Sequence, residues 1–179
     1  MEIMGFSRAK RLGDVFTQLV RISLSNDVVD SLGDADVTFS QFETLRYIQR
    51  HPLSTVGDLA QGLHISYPSA TNMVSRLHSK GLILKRGLRS DRRIVRLALS
   101  DEGTRLAESI VRERTARVGK ILDGMHPNDC EHFLSGLEEF IVSAVRNGFG
   151  DADALCLNCG PDKSELCPLL RADTTHKCR

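Results

Sequence analysis

The stretch Ile65–Leu99 constrains the fold of this chain more than any other part of its sequence. It opens with a helix signal, because Ser66 is a favoured N-cap residue and Pro68 suits a first turn that does not need its N–H. Lys80 and Gly81 supply the cation and the glycine that are typical of a helix end. The sequence therefore predicts a helix with clear start and stop signals at the beginning of this stretch.

A basic hairpin follows the predicted helix. Two strand-like runs, Leu82–Leu84 and Ile94–Leu99, flank the basic segment Lys85–Arg93. Between Ser66 and Leu99, eight Lys or Arg side chains and one Asp give a net charge of +7, whereas the whole chain carries only +1. A nearly neutral chain with one concentrated basic element is suited to an anionic partner at that element. Helix and hairpin together predict a winged helix-turn-helix, and a solvated charged hairpin is the plain alternative.

The two faces of the predicted helix differ in chemistry. Ala70, Val74 and Leu77 share one face through their helical spacing and should pack inward. The other faces carry polar side chains of the types that contact base edges and phosphates in a DNA major groove. The DNA-binding residues predicted on the helix are Ser66, Tyr67, Ser69, Thr71, Asn72 and Arg76.

Several segments of the chain resemble the MarR family of bacterial regulators. They are Phe39–Leu45, Thr55–Ala60, Ser69–Leu77, Lys80–Leu82 and Ser90–Gly103, and the last of these is the most specific match. The similarity runs in unbroken order from about residue 10 to residue 147 and does not include the C-terminal end of the chain.

The resemblance implies a mainly α fold with a small β-hairpin wing, made of a winged helix-turn-helix domain and a helical dimerisation region. It implies a homodimer on a pseudo-palindromic operator in double-stranded DNA, with each recognition helix in a major groove and each wing at a flanking minor groove. It also implies that Arg93 enters the minor groove while Asp91 holds its guanidinium. Repression is the usual outcome in the family, and many relatives sense a small aromatic effector. The wing residues expected at the DNA are Arg89, Asp91, Arg92 and Arg93.

Helix signals divide the rest of the chain. Residues 8 to 32 carry apolar side chains at helical spacing until Gly33 interrupts them. Capping-box spacings open helices at Thr38 and Asn128. Further helix starts are indicated at Thr55 and Ser100. We expect a helical dimerisation region at residues 1–36 and 100–148, a winged helix-turn-helix domain at residues 37–99, and a cysteine-rich metal-binding tail at residues 149–179.

Four of the five cysteines lie near the C-terminus with the spacing C-x2-C-x7-C-x10-C. The sequence has no signal peptide or membrane span, so we expect a cytosolic protein whose cysteines are reduced thiols or metal ligands rather than disulfides. Four clustered thiolates can close a tetrahedral metal site or ligate an iron–sulfur cluster. The predicted metal ligands are Cys156, Cys159, Cys167 and Cys178.

The identity of the metal stays open between zinc and an iron–sulfur cluster. Only one C-x2-C pair is present, and Cys167 precedes a proline as in bacterial ferredoxins, which favours a cluster slightly. His176 is a weaker candidate ligand in place of Cys178. Cys130 shares a helix face with Phe133 and fits a small buried core residue better than a thiol sensor or an extra metal ligand. Chance clustering in a flexible tail is the plain alternative to a metal centre.

No residue pattern typical of an enzyme competes with DNA binding, since the sequence has neither a supported Ser–His–Asp arrangement nor a phosphate-binding glycine loop. Two other functions stay open. One is a metal- or electron-carrying protein whose winged helix only mediates protein contacts. The other is a regulator that senses a small aromatic ligand and has a purely structural tail. In the favoured hypothesis the tail is the input of the regulator or a clip that sets the spacing of its two DNA-binding lobes.

Overall fold

The computed structural model describes residues 2–31, 37–87, 95–150, 152–156, 167–173 and 175. Its helices are α1 (Glu2–Arg21), α2 (Asp27–Ser31), α3 (Phe39–Arg50), α4 (Val56–Gly62), α5 (Tyr67–Ser79), α6 (Asp101–Asp123), α7 (Pro127–Arg146), α8 (Ala152–Leu155) and α9 (Pro168–Ala172). A π-helical turn, Ile22–Asn26, joins α1 to α2, and the strands are β1 (Ile83–Gly87) and β2 (Val95–Leu99). The mainly α fold with one hairpin is the predicted one. Across these ranges, none of the helices combines the length and apolar character that a bilayer span requires.

Reciprocal hydrogen bonds within a few residues set the starts of α3 and α4. The backbone N–H of Gln41 donates to Thr38 Oγ1 at 3.3 Å, and the N–H of Thr38 donates to Gln41 Oε1 at 3.1 Å, so the predicted capping box is confirmed. Thr55 and Asp58 form the same arrangement at α4, with N···O distances of 2.8 and 3.1 Å. These bonds satisfy backbone donors that the first turn of a helix otherwise leaves without a partner.

The hairpin is longer than the sequence pattern predicts. Strands β1 and β2 pair antiparallel, and the register extends as far as Gly87 opposite Val95. The predicted first strand, Leu82–Leu84, is therefore too short, because Lys85 and Arg86 belong to the paired strand and not to the loop. Pairing with β2 satisfies their backbone groups, and this gain does not depend on apolar side chains.

The loop residues Leu53 and Ser54 form hydrogen bonds with the opposite edge of β2. The backbone N–H of Leu53 donates to the carbonyl of Leu97 at 3.0 Å, and the N–H of Leu97 donates to the carbonyl of Ser54 at 2.8 Å. The connection between α3 and α4 thus covers one edge of the hairpin and fixes it against the helices.

The main core joins the winged helix to α2 and to the N-terminal half of α6. Its buried apolar side chains come from elements that are distant in the chain, which makes one packing unit of them. The largest fully buried members are Val28, Phe42, Leu45, Ile48, Leu59, Val74, Leu77, Ile83, Leu97 and Ile110.

Helix α7 starts at a proline. The capping box predicted at Asn128 and Glu131 is wrong, because His126 is the N-cap residue and Pro127 occupies the first helical position. The backbone N–H of Asn128 lies 3.4 Å from His126 Nδ1, to which it donates. Proline fixes a helical φ and has no N–H that needs a partner, so it favours a start two residues earlier than the capping-box spacing indicates.

The helix predicted over residues 8–32 contains the π-helical turn, which the apolar pattern does not reveal. Arg117 of α6 binds this turn, since its guanidinium donates to the carbonyl of Ser23 at 3.0 Å and to that of Asp27 at 3.3 Å. Its Nε also donates to Glu113 at 2.8 Å. A side chain of α6 therefore satisfies carbonyls at the irregular turn and connects the first helical segment to α6.

The tail packs on α7 away from the main core. Val142, Ala152 and Leu169 are buried, and none of the three belongs to the main core. Helix α9 packs along α7, and α8 contacts α9. No sequence pattern predicts α8 and α9, because helices of four and five residues are too short to show an apolar period.

Candidate nucleic-acid interface

Helix α5 has the predicted rotation. Ala70, Val74 and Leu77 are at most 2% exposed, so the inner face is confirmed. The helix ends as predicted, with Lys80 as its C-cap and Gly81 in the left-handed region at φ +72°. The six predicted outer-face residues are all exposed: Ser66, Tyr67, Ser69, Thr71, Asn72 and Arg76. The polar side chains of α5 are therefore accessible to a large partner.

Hydroxyl groups are organised in the first turn of α5. Ser66 Oγ accepts the backbone N–H of Ser69 at 3.3 Å and lies 2.8 Å from Ser69 Oγ. Thr71 Oγ1 donates to the carbonyl of Tyr67 at 2.9 Å, and the Tyr67 side chain is 62% exposed. These hydrogen bonds restrict the rotamers of the hydroxyl side chains at the end of the helix where the dipole favours an anion. This end of α5 suits contact with a phosphate.

The described part of the hairpin is basic. Lys85 and Arg86 are exposed on β1, and Arg86 lies opposite Arg96 in the strand register. Arg96 donates from its guanidinium to the carbonyl of Leu53 at 2.9 Å, which holds it at the base of the hairpin. Like charges opposite each other in a strand pair repel unless a counter-charge is near. Among the described acidic residues, none forms an ion pair with Lys85 or Arg86.

The hairpin loop is not part of the described ranges. The predicted wing contacts lie in that loop and stay predictions: Arg89, Asp91, Arg92 and Arg93. Lys85 and Arg86 were not among the predicted contacts. The signal that could have identified them is their place in the basic run after the first strand.

Helix α3 holds α4, and through it the start of α5. The Tyr47 hydroxyl donates to the carbonyl of Asp58 at 2.9 Å, and its ring lies against His51 with centroids 4.5 Å apart. This close approach requires Gly62, where a Cβ atom would lie 2.0 Å from Cε2 of Tyr47. Two hydrogen bonds from Thr55 hold the pKa of the Asp58 carboxyl group below its ordinary value. The backbone N–H of Thr55 has the larger effect, and its hydroxyl has the smaller one.

We expect the unfolding free energy to depend on pH through His51. Burial lowers the pKa of His51 below its ordinary value of 6.5, the charge of Arg50 lowers it further, and Asp58 opposes both. The unfolded chain therefore binds a proton at this site before the folded protein does. The contribution of neutral His51 is fully present above about pH 6.5 and is lost as the pH falls through the lower pKa of the folded state.

Urea unfolding between about pH 7.5 and pH 5 measures this contribution. We expect the stability advantage of wild type over His51→Gln to shrink as the pH falls. His132→Gln, which removes an imidazole from an exposed position of α7, is the matched control. A difference between wild type and His51→Gln that stays constant over this range would contradict the expectation.

Two of the four predicted metal ligands lie in the described tail. Cys156 directly follows α8, Cys167 is the N-cap residue of α9, and both are half-buried. Cys159 and Cys178 fall outside the described residues, so their convergence with the other two stays a prediction. Where side chains are described, no group of three potential metal ligands stands together. Cys130 is half-buried in the protomer, and the expected fully buried core position is not found.

Comparisons with known proteins match the central part of the chain. Residues 35–94 match the model of the MarR family. The HTH-type transcriptional repressor MdtR of Bacillus subtilis (strain 168) is 28% identical over 96 residues, which are 54% of this chain and 62% of that protein. The HTH-type transcriptional regulator FarR of Neisseria gonorrhoeae is 32% identical over 90 residues, which are 50% of this chain and 62% of that protein. The chain thus spans less than two thirds of the length of these relatives.

Solved structures share the fold. FabT of Streptococcus pneumoniae, in complex with DNA, matches with a TM-score of 0.64 and 24% identity, over 74% of this chain and 94% of that chain. A MarR family protein from Bacillus stearothermophilus matches with a TM-score of 0.64 and 19% identity, over 78% of this chain and 95% of that chain. These likenesses confirm the winged-helix fold class predicted from the sequence.

Proposed function

We propose that this chain is a DNA-binding transcriptional regulator of the MarR family, whose model matches residues 35–94. The observation that carries the proposal is the exposed polar face of α5. The helix itself packs beside β1, which carries exposed basic side chains. Basic groups near phosphates supply affinity, and polar groups on a helix supply contacts to bases. The names of MdtR and FarR as transcriptional regulators support the proposal, as does the DNA in the FabT structure.

In the proposed complex, α5 lies in a major groove and the hairpin lies at the flanking minor groove. Asn72 and Arg76 contact bases or phosphates from the exposed face of α5, and Lys85 and Arg86 contact phosphates from β1. Arg93 enters the minor groove, as the resemblance to the family implies. We expect repression, the usual outcome for a regulator of this type.

A homodimer is the proposed DNA-binding form. Phe16 of α1 and Phe133 of α7 contact each other with ring centroids 6.3 Å apart, which brings the two helices together. The same two helices carry further exposed apolar side chains: Leu12, Val15, Leu19, Leu134 and Phe140. Apolar patches of this kind mark interfaces, and a second copy would bury them. The resulting two-fold symmetry matches the pseudo-palindromic operator that we expect.

Replacement of basic residues tests the DNA interface. Against a duplex selected from a random pool, we expect Arg93→Ala to weaken binding by about 1–3 kcal/mol without a change in thermal unfolding. Arg76→Ala should weaken binding and flatten its salt dependence by about one counterion per subunit, because a phosphate contact releases condensed cations. Arg112→Ala is the matched control, since Arg112 is exposed on α6 and remote in sequence from the basic stretch.

Anisotropy titrations at several salt concentrations provide both quantities. A wild-type protein that prefers no duplex over random DNA, or whose affinity does not depend on salt, would overturn the proposal. Such a result would favour the alternative in which the chain carries a metal or electrons and its winged helix mediates only protein contacts.

We further propose that the tail binds zinc or an iron–sulfur cluster through Cys156, Cys159, Cys167 and Cys178. The short helices of the tail favour this proposal. Helices of four and five residues are not stable alone, and the buried apolar residues they contribute are Ala152 and Leu169. Ordering such a segment costs conformational entropy. A metal bound by thiolates provides free energy that offsets this cost.

The metal and its role remain two separate questions. Pro168 occupies the first turn of α9, which explains the Cys-Pro dipeptide without reference to ferredoxins. Metal analysis of anaerobically purified protein distinguishes iron with acid-labile sulfide from zinc. If the signal is instead a small aromatic effector and the tail is only structural, the effector should still release DNA after all four tail cysteines are replaced.

A further inference from the structure

Helix α9 docks on one face of α7 and leaves the apolar stripe of α7 open. Glu138, Val142 and Arg146 follow one another at four-residue spacing, so they share the docked face. Val142 is 1% exposed and lies between two residues that both bind α9. The open stripe occupies another face and contains Phe133, Leu137, Phe140 and Ala144. The tail therefore does not compete with a second copy for the apolar stripe.

Charged groups fasten the C-terminal part of α9 to α7. The Arg171 guanidinium binds the carboxylates of Glu138 and Glu139, with 2.7 Å to the latter. In the opposite direction, the guanidinium of Arg146 donates to the carbonyl of Arg171 at 3.0 Å. Leu169, which is 7% exposed, adds an apolar contact from the same helix. We call these contacts of α9 with α7 the Arg171 clamp.

Leu169, the second residue of α9, is buried, but the N-terminal end of the helix has no polar attachment comparable to the ion pairs of Arg171 in the described part of the chain. Cys167 is the N-cap residue, and its side chain forms no capping hydrogen bond. A helix of five residues is not stable by itself, and exposed ion pairs contribute little to stability. The position of α9 on α7 therefore depends strongly on how Cys167 is held.

We propose that α9 is a releasable clip on α7, and that ligation of Cys167 determines whether the clip is closed. This inference rests on the proposed cysteine centre. With Cys167 ligated, both ends of α9 are fixed and the Arg171 clamp holds the C-terminal half of α7. With Cys167 released, only the Arg171 clamp remains; its ion pairs are exposed and Leu169 is its single buried side chain, so α9 separates from α7. Because α7 also carries the apolar stripe proposed for the dimer, opening the clip changes the spacing of the two DNA-binding lobes.

Hydrogen exchange tests the clip without reference to DNA. We compare full-length protein as purified with the same protein after the metal is removed by a chelator and after Zn²⁺ is added back. Removal should increase exchange of the backbone amides between Glu138 and Arg146 at least about tenfold, and Zn²⁺ should restore protection. Unchanged exchange in this segment, or protein that binds neither zinc nor iron, would overturn the proposal.

Arg171→Gln tests whether the clamp transmits the state of the centre. The variant should keep its metal and still bind the selected duplex, because Arg171 belongs to neither proposed site. In wild type, removal of the metal should change duplex affinity at least about tenfold, and in Arg171→Gln by less than about twofold. The double variant Glu138→Gln with Glu139→Gln opens the same clamp from the side of α7 and should behave alike. Arg112→Gln should respond as wild type does.

The outcomes separate this inference from the proposed function. Wild type that binds the duplex with equal affinity in both metal states would refute the clip and leave the regulator proposal intact. A tenfold response that persists in Arg171→Gln would likewise refute transmission through the clamp. If wild type fails to bind any selected duplex, the proposed function falls, and the hydrogen-exchange comparison still decides the clip.

Discussion

Gly103→Ala should lower the free energy of unfolding by about 2–3 kcal/mol, because a methyl group at this position overlaps backbone that has no room to move. A Cβ atom on Gly103 would lie 2.0 Å from the carbonyl oxygen of Leu82 and 2.9 Å from its carbonyl carbon. The neighbouring Ser100 fixes the same place, since its N–H donates to that carbonyl at 3.1 Å and its hydroxyl donates to the carbonyl of Gly81 at 2.6 Å. The start of α6 and the start of the hairpin would have to separate.

Gly119→Ala in the same helix is the matched control. A Cβ at Gly119 has no described atom within 4 Å, so the change should stabilise the protein by about 0.5–1 kcal/mol through the helix propensity of alanine. Urea unfolding of both variants gives the comparison. Equal effects of the two substitutions would show that the junction between α6 and the hairpin adapts easily, contrary to the packing described.

The winged helix was predictable because its signals act over short distances. Ser66 caps the start of α5, and Lys80 and Gly81 end that helix. At α3, Thr38 forms a capping box with Gln41. Each of these signals acts through atoms only a few residues apart. The burial of the inner face of α5 follows from the same helical geometry that the sequence displays. Caps and apolar spacing were therefore enough to place the helix and its exposed polar side.

Features that depend on distant residues were missed. Arg117 contacts the π-helical turn at Ser23 across 94 positions in the chain, and no local pattern reveals this pairing. The length of β1 depends on its pairing with β2, so the sequence pattern alone places the exposed basic pair Lys85 and Arg86 in the loop. At α7 two local signals competed, and the preference of Pro127 for a first helical turn prevailed over the spacing of a capping box.

The tail shows the same division between local and distant information. Its cysteine spacing is visible in the sequence, whereas its docking on α7 is not, because Arg171 binds Glu138 across 33 positions. In the unfolded chain, the Arg171 side chain can meet many different carboxylates, and no local pattern favours Glu138 and Glu139. Only the fold selects one of them, and this selection gives the tail a defined place beside the proposed dimer surface.

Loss of Cys156 should abolish metal binding by the tail. Cys156 and Cys159 form the only C-x2-C pair of the sequence, so either substitution leaves three thiolates separated by long intervals. A serine hydroxyl does not replace a thiolate, because it stays protonated and is a harder ligand than zinc or an iron–sulfur cluster prefers. We expect Cys156→Ser purified without oxygen or chelator to retain less than about a tenth of the wild-type metal.

Cys130→Ser is the control that isolates the tail. Cys130 is half-buried on α7, outside the proposed centre, and its loss should leave the metal content unchanged.

Loss of the metal should also speed proteolysis after Gly150. Cys156 follows α8 and Cys167 precedes α9, and these two helices contact each other, so the metal would help to hold both in place. Wild-type metal content in Cys156→Ser, or metal loss in Cys130→Ser, would show that the four tail cysteines do not form one centre. Faster cleavage in Cys156→Ser alone would tie the order of the tail to the ligation of its cysteines.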